Sequence, residues 1–387
     1  MRKAVLALVL LAGCGGSGDA VDGSGMTKEM KAFKDAQEKQ AQDWMERMRR
    51  DAPRPPIRKP PLLHADTSVL SRTVVVPHTR IPLADGKNVV WCATWQLAWD
   101  SMCNDVVKGP LLLGPPAPEE EVAEMNRHPF PGQALDPASY LACAGPYQVI
   151  VPRIRRELQE RFGTEMLPVP PVIGASIVAY GFLRKNLPFE HQFEPMLAPL
   201  DFEGRRVLAF GANCGSSKPD IAAALRQVQV VGDDSPHEFV LELAVKGGKD
   251  RLVLAMVPAM DTLEETWAGV RTRLGSSKGK PLAPGAGLAV PRMNFSLDHR
   301  FQEILGARVI DGPTKGHVVI EARQTVRFSL DEGGAVLESH AVLGTGLGSV
   351  TEYVVNRPFL LALIEKGRTE PYLLMWIAND ELLAEAP

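Results

Sequence analysis

The chain has 387 residues, long enough for one large domain or two smaller ones with a substantial buried core. Lys and Arg number 43 against 46 Asp and Glu, a net charge of −3, so no basic excess argues for nucleic acid as a partner. Apolar residues make up 45%, ordinary for a soluble globular protein.

The first segment reads as an export signal. Arg2 and Lys3 form a charged start, Val5 to Leu11 a short apolar core, and Leu11-Ala12-Gly13-Cys14 a cleavage site. An apolar stretch this short cannot span a bilayer as a helix. The Leu-Ala-Gly-Cys run resembles a bacterial lipobox, which implies lipidation of Cys14 and a membrane partner through the lipid anchor. By the same resemblance, Gly15 after the cysteine implies the outer membrane or cell surface. Residues 1–13 are therefore expected as a lipoprotein signal peptide, and 14–63 as a tether, a helix and a proline-rich linker. Gly15 to Gly25 is small and flexible. Met26 to Arg50 is rich in helix formers, with an apolar stripe through Met30, Phe33, Trp44 and Met48. Ala52 to Pro61 is stiff polyproline II.

A globular domain is expected over 64–387. Thr73 to Val76 reads as a strand. Gly86 to Met102 places Trp91, Trp95, Ala98, Trp99 and Met102 at helical spacing and is predicted as one buried helix. On such a helix Cys92 and Cys103 would lie about 16 Å apart, beyond the reach of a bridge. With Cys14 set aside, the candidates for a disulfide are thus Cys92 with Cys143 or Cys214, unless Cys92 stays a buried free thiol. Residues 109–175 are proline-rich; within them Glu119 opens a helix whose first-turn acids suit its N-terminus, and Ile154 to Phe162 forms a short one. Phe239 to Ala244 and Arg251 to Val257 read as strands, and Thr262 opens a helix.

The C-terminal end is the most legible. Val326, Phe328 and Leu330 alternate with Arg327 and Ser329, a strand with one buried face. Phe359 to Ile364 is an apolar strand opened by Pro358. A turn over Gly367 to Pro371 returns the chain into a second apolar strand, Tyr372 to Ala378. Between the first strand and the last two lie about two dozen residues with five glycines and no proline, a connection long enough to be functional or disordered.

Asp331-Glu332-Gly333-Gly334, that long connection and Asn356-Arg357-Pro358-Phe359 together resemble the C-terminal end of the serpins. Upstream, Asn88-Val89-Val90-Trp91 is similar to a serpin segment but departs from it at Cys92, and Ser176 to Glu190 is similar to a strand ending in a basic turn. Gly287 to Gly306 resembles a strand followed by a helix, which would carry a solvated His299. The resemblance implies an α+β, serpin-like fold: a large central β-sheet, surrounding helices and an exposed reactive-centre-like loop over about 335–355. Its implied partner is a serine or cysteine protease that attacks the loop as bait. The implied loop residues are Glu332, Gly334, Ala335, Leu337, Leu347, Gly348 and Ser349. The scissile bond falls at Leu347-Gly348 or Gly348-Ser349, neither offering the arginine a trypsin-like protease wants. A buried polar cluster of the family falls here at Cys92, Trp95, Ala179 and Gln324, so that region is expected to pack as apolar core.

No enzyme is expected. The sequence has no Walker loop or His-Glu-x-x-His, and Gly344-Thr-Gly-Leu-Gly348 lacks the helix and acid of a dinucleotide loop. No Cys-x-x-Cys spacing suggests zinc, and no cofactor is expected. The alternative function is a non-inhibitory binding or structural surface protein on the same fold.

Overall fold

A computed structural model describes residues 61–386 apart from 129, 131–134, 164–176, 197, 213–218, 236, 277, 284 and 336–351. The chain divides into two compact units, Met1–Arg54 and Pro55–Pro387, and every described residue belongs to the second. The expected signal segment, Cys14, the tether and the 26–50 helix lie outside the described residues.

In chain order, β1 (Leu63–Asp66), β2 (Thr73–Val75) and β3 (Asn88–Cys92) precede α1 (Thr94–Ser101), which runs into a π-helical turn over Met102–Val107. Then come α2 (Glu119–Met125), β4 (Tyr140–Pro146), α3 (Tyr147–Phe162), β5 (Ile177–Leu183), β6 (Leu187–Pro188) and β7 (Glu194–Pro195). The middle continues with β8 (Leu200–Phe202), β9 (Arg205–Val207), β10 (Ala209–Ala212), α4 (Pro219–Arg226) and β11 (Val228–Ser235). After these follow β12 (Glu238–Ala244), β13 (Asp250–Met256), α5 (Leu263–Ser276), β14 (Lys280–Pro281), β15 (Gly287–Pro291) and β16 (Met293–Arg300). The chain closes with β17 (Arg323–Leu330), β18 (Gly334–Ala335), β19 (Glu352–Val354), β20 (Phe359–Glu365) and β21 (Leu373–Ile377).

The architecture is α+β, with helices around a large sheet. Eight strands in the order β14-β11-β12-β13-β20-β21-β3-β2 form that sheet, antiparallel along its named ladders except at the parallel β2–β3 edge. Its central strands are covered on both faces: every residue of β3 and β21, and all of β20 but Glu365, is buried. That double burial explains the unbroken apolar runs at Phe359 and Leu373. A polar clasp closes the sheet's edge. Asn88 Nδ2 donates to Thr73 Oγ1 at 3.1 Å and to Asn379 Oδ1 at 2.9 Å, while its Oδ1 accepts from the backbone of Ala378 and Asn379.

Smaller sheets stand against this one. β1 lies parallel to β16, and β16 pairs antiparallel with β17; β19, β15, β10 and β7 form a four-stranded sheet; β4 pairs with β5. The β4–β5 pair and α3 carry a hydrophobic cluster of their own, built on Leu141, Ile150, Ile154, Leu158 and Tyr180.

Several expectations need correction. Gly86 to Met102 is not one helix, because Asn88–Cys92 forms β3 and the helix starts at Thr94. A strand buried on both faces shows no alternation, and Trp91 near its end falls in step with Trp95 and Trp99 of the helix that follows. The short helix at Ile154 begins earlier, at Tyr147, and runs through Pro152. Proline ordinarily costs an interior hydrogen bond and signals a break, so the residues before Pro152 do not announce the helix. His299 sits in β16 rather than in a solvated helix, and its Nδ1 lies 2.6 Å from Thr67 Oγ1. β19 also occupies the end of the stretch expected as loop.

Candidate functional site

The residues expected at the hinge meet at the end of β17. That strand alternates as read: Val326, Phe328 and Leu330 are buried, and Phe328 faces Phe295 of β16 with ring centroids 5.8 Å apart. At Asp331 the chain reverses. Asp331 and Gly334 exchange backbone hydrogen bonds at 3.1 Å in both directions, and Asp331 Oδ1 accepts from the Gly333 amide at 2.9 Å. Glu332 and Gly333 thus form the tip of a tight turn, and β18 leaves it antiparallel to β17.

β18 is also paired on its other side. Gly334 stands opposite Pro188 and Ala335 opposite Leu187, so the strand lies between the end of β17 and β6. Glycine is required at 334: its φ is +124°, and a Cβ there would sit 2.4 Å from the Leu187 carbonyl oxygen. Two further amides hold the turn, with Phe189 N–H donating to Gly333 O at 2.9 Å and Phe193 N–H to Glu332 O at 3.0 Å. Beneath them Phe189, Phe193 and Phe210 pack with centroids 5.0 to 6.0 Å apart.

Glu332 points inward. It is 3% exposed and forms an ion pair with Arg292, itself 4% exposed, at the corner between β15 and β16. Burial, outweighing the attraction of Arg292, pushes the Glu332 carboxyl above its ordinary value. Arg292 is held by its own backbone, donating to Leu208 O and accepting from Ala384 N–H, both at 2.8 Å. The signal for Arg292 was available in the sequence, as one charge amid the apolar residues of 286–297, but nothing marked Glu332 as its partner.

Further from the hinge, β17 and β5 both rest on the start of α1. Gln324 of β17 donates to Cys92 O at 3.0 Å and to Thr94 Oγ1 at 2.7 Å. Gly181 of β5 lies against the Thr94 carbonyl so closely that a Cβ would come within 2.2 Å of its oxygen. Yet among the described residues no ladder joins β5 to β17. Both strands thus rest on one floor residue, Thr94, and β18 pairs with β6, the strand that follows β5.

This floor corrects the expected apolar core. Gln324 is buried and bonded, and Thr94, absent from the sequence reading, supplies the hydroxyl that Cys92 and Trp95 lack. Trp95 turns instead onto Phe301, 4.2 Å between centroids, and Ala179 stands opposite Ala144 within the β4–β5 ladder.

The expected disulfide does not form at Cys92 or Cys143. Both are free, as is Cys103, and Cys92 packs in the main core while Cys143 packs in the β4–α3–β5 cluster. Burial pushes the Cys103 and Cys143 thiols up to about 11, and raises Cys92 as well, so all three stay protonated at neutral pH. Cys214, Leu337, Leu347, Gly348 and Ser349 lie outside the described residues.

A separate cavity of about 360 Å³ opens between α5 and the eight-stranded sheet, with Trp91, Phe130 and Trp267 among its walls. Rim charges are matched, Arg80 with Glu264 and Arg271 with Glu370, each at 2.9 Å. Among the described residues no group of three His, Cys, Asp or Glu is placed to hold a metal ion.

No family model matches the chain, and no curated protein matches it. Among solved structures it is similar to Serpin48 of the insect Tenebrio molitor, at 12% identity over 76% of this chain and 92% of that one, with a TM-score of 0.45. It is also similar to thyroxine-binding globulin in complex with thyroxine, at 10% identity over 76% and 93%, with a TM-score of 0.45. A third is the thermophilic serpin Tengpin in its native state, at 10% identity over 77% and 90%, with a TM-score of 0.44. At these values the functional reading rests on the chain's own residues.

Proposed function

We propose that this chain is a serpin-like protease bait, and that residues 336–351 are the segment a protease attacks. One observation carries the reading: β18 begins between the end of β17 and β6, and among the described residues no ladder joins β17 to β5, the strand that precedes β6. Unpaired strand edges favour the addition of a further strand. A chain continuing from Ala335 would start at such an edge, that of β17.

In this reading a protease nucleophile attacks the carbonyl near Leu347. The peptide bond breaks, the new amino terminus departs, and the protease is left as an acyl-enzyme on the upstream segment. That segment then inserts beside β17 as a strand while water competes to deacylate the protease. Leu337 would slow insertion, since a bulky residue forced into a packed sheet costs about 1–3 kcal/mol. Most turnover is therefore substrate-like, which leaves room for the second reading of a binding or structural protein on the same fold.

Incubation with a panel of serine and cysteine proteases tests this. The expected result is cleavage near Leu347, a modest rise in melting temperature after the cut, and a minor covalent complex that survives denaturant. Leu337→Ala should enlarge the trapped fraction. An unchanged melting temperature on cleavage means no insertion and overturns the reading.

A further inference from the structure

The β4–α3–β5 layer has its own hydrophobic cluster, and its two chain ends meet at a single atom. The chain runs into the layer through Asp136 and out of it through Lys185. Glu365 Oε1, at the end of β20, accepts from the Asp136 backbone N–H at 2.7 Å and from the Lys185 ammonium. Lys185 also reaches Asp250 Oδ1 at 3.0 Å, and Tyr372 donates its hydroxyl to the same oxygen at 3.1 Å. The side chains are 9–13% exposed, so water replaces little of this bonding. Asp250 and Glu365 are ladder partners on the eight-stranded sheet, which makes the anchor rigid.

We propose that Glu365 is a positioning residue that staples both ends of the β4–α3–β5 layer to the eight-stranded sheet, and so sets the position of β5, whose second edge joins no ladder among the described residues. The consequence for strand insertion rests on the bait reading; the staple itself does not. A layer with its own core opens as a unit when its attachment is weakened, so loss of the staple is read in that layer before any other element.

Amide hydrogen exchange on the full chain tests this with three variants. Glu365→Leu removes the acceptor yet leaves Lys185 paired with Asp250. The expected result is about ten- to hundredfold faster exchange across β4, α3 and β5, the range given by losing a hydrogen bond to a charged group, with β12 and β13 unchanged. Glu365→Gln keeps an oxygen for Asp136 N–H and should exchange close to wild type. Asp136→Pro deletes that N–H, and with it the side-chain cap on the Ala138 amide, at a position whose φ is already −58°, and should loosen the layer without touching the ionic cluster. Unchanged exchange in the layer, equal acceleration everywhere, or a Gln variant indistinguishable from Leu each overturns the proposal. Trapping assays separate it from the bait reading: exchange that responds with no protease trapped sinks the bait and keeps the staple, whereas trapping with unresponsive exchange does the reverse.

Discussion

Glu332 is the residue whose removal the structure prices most clearly. Its carboxylate is the partner given to Arg292, both residues are almost fully buried, and Arg292 Nε makes no hydrogen bond. Glu332→Ala therefore removes the carboxylate paired with a buried guanidinium, a change that costs about 3–5 kcal/mol. Replacing both partners with apolar groups of similar volume, Arg292→Met with Glu332→Leu, removes the charge along with its partner and should recover most of that loss. Urea unfolding of the wild type, both single variants and the pair gives the coupling energy directly. The turn itself must also loosen, because Glu332 anchors the tip from which β18 departs, so exchange at residues 187–189 should quicken in the single variant. A Glu332→Ala protein within about 0.5 kcal/mol of wild type, or a double variant no better than the single, refutes the reasoning.

Gly334→Ala should break the pairing of β18 with β6, since the new Cβ meets the Leu187 carbonyl at a φ of +124°; an unaltered exchange pattern at residues 187–189 would count against it. His299 is held down to about 4 by burial, below the ordinary 6.5. The unfolded chain then takes the proton first, so stability present above pH 6.5 falls as pH drops toward 4. His299→Gln should flatten that slope in urea midpoints, and an identical slope in both proteins dismisses the assignment. The proposed anchor is tested by Cys14→Ala, which should move the protein from the membrane to the soluble fraction; full retention on membranes ends that idea.

Local pattern was enough wherever one face of an element meets solvent. β17 shows it best: buried Val326, Phe328 and Leu330 alternate with more open positions, and the period of two is visible without any partner. The turn over Gly367 to Pro371 was also legible, because glycine readily takes the positive φ, +81° at Gly367, that such a reversal needs. Where both faces are buried the pattern vanishes, and β3 was read as a helix for that reason. Partnerships across the chain left no local trace. Glu332 and Arg292 lie 40 positions apart, and Glu365 finds Asp136 and Lys185 across 229 and 180. Sequence alone was enough for β17, β20, β21 and the turn between the last two, because those follow from side-chain periodicity and backbone sterics. Only packing fixed which charges are buried together, that Gln324 bonds Thr94 at the start of α1, and that β18 pairs with β6, because burial and long-range pairing arise only when distant segments meet.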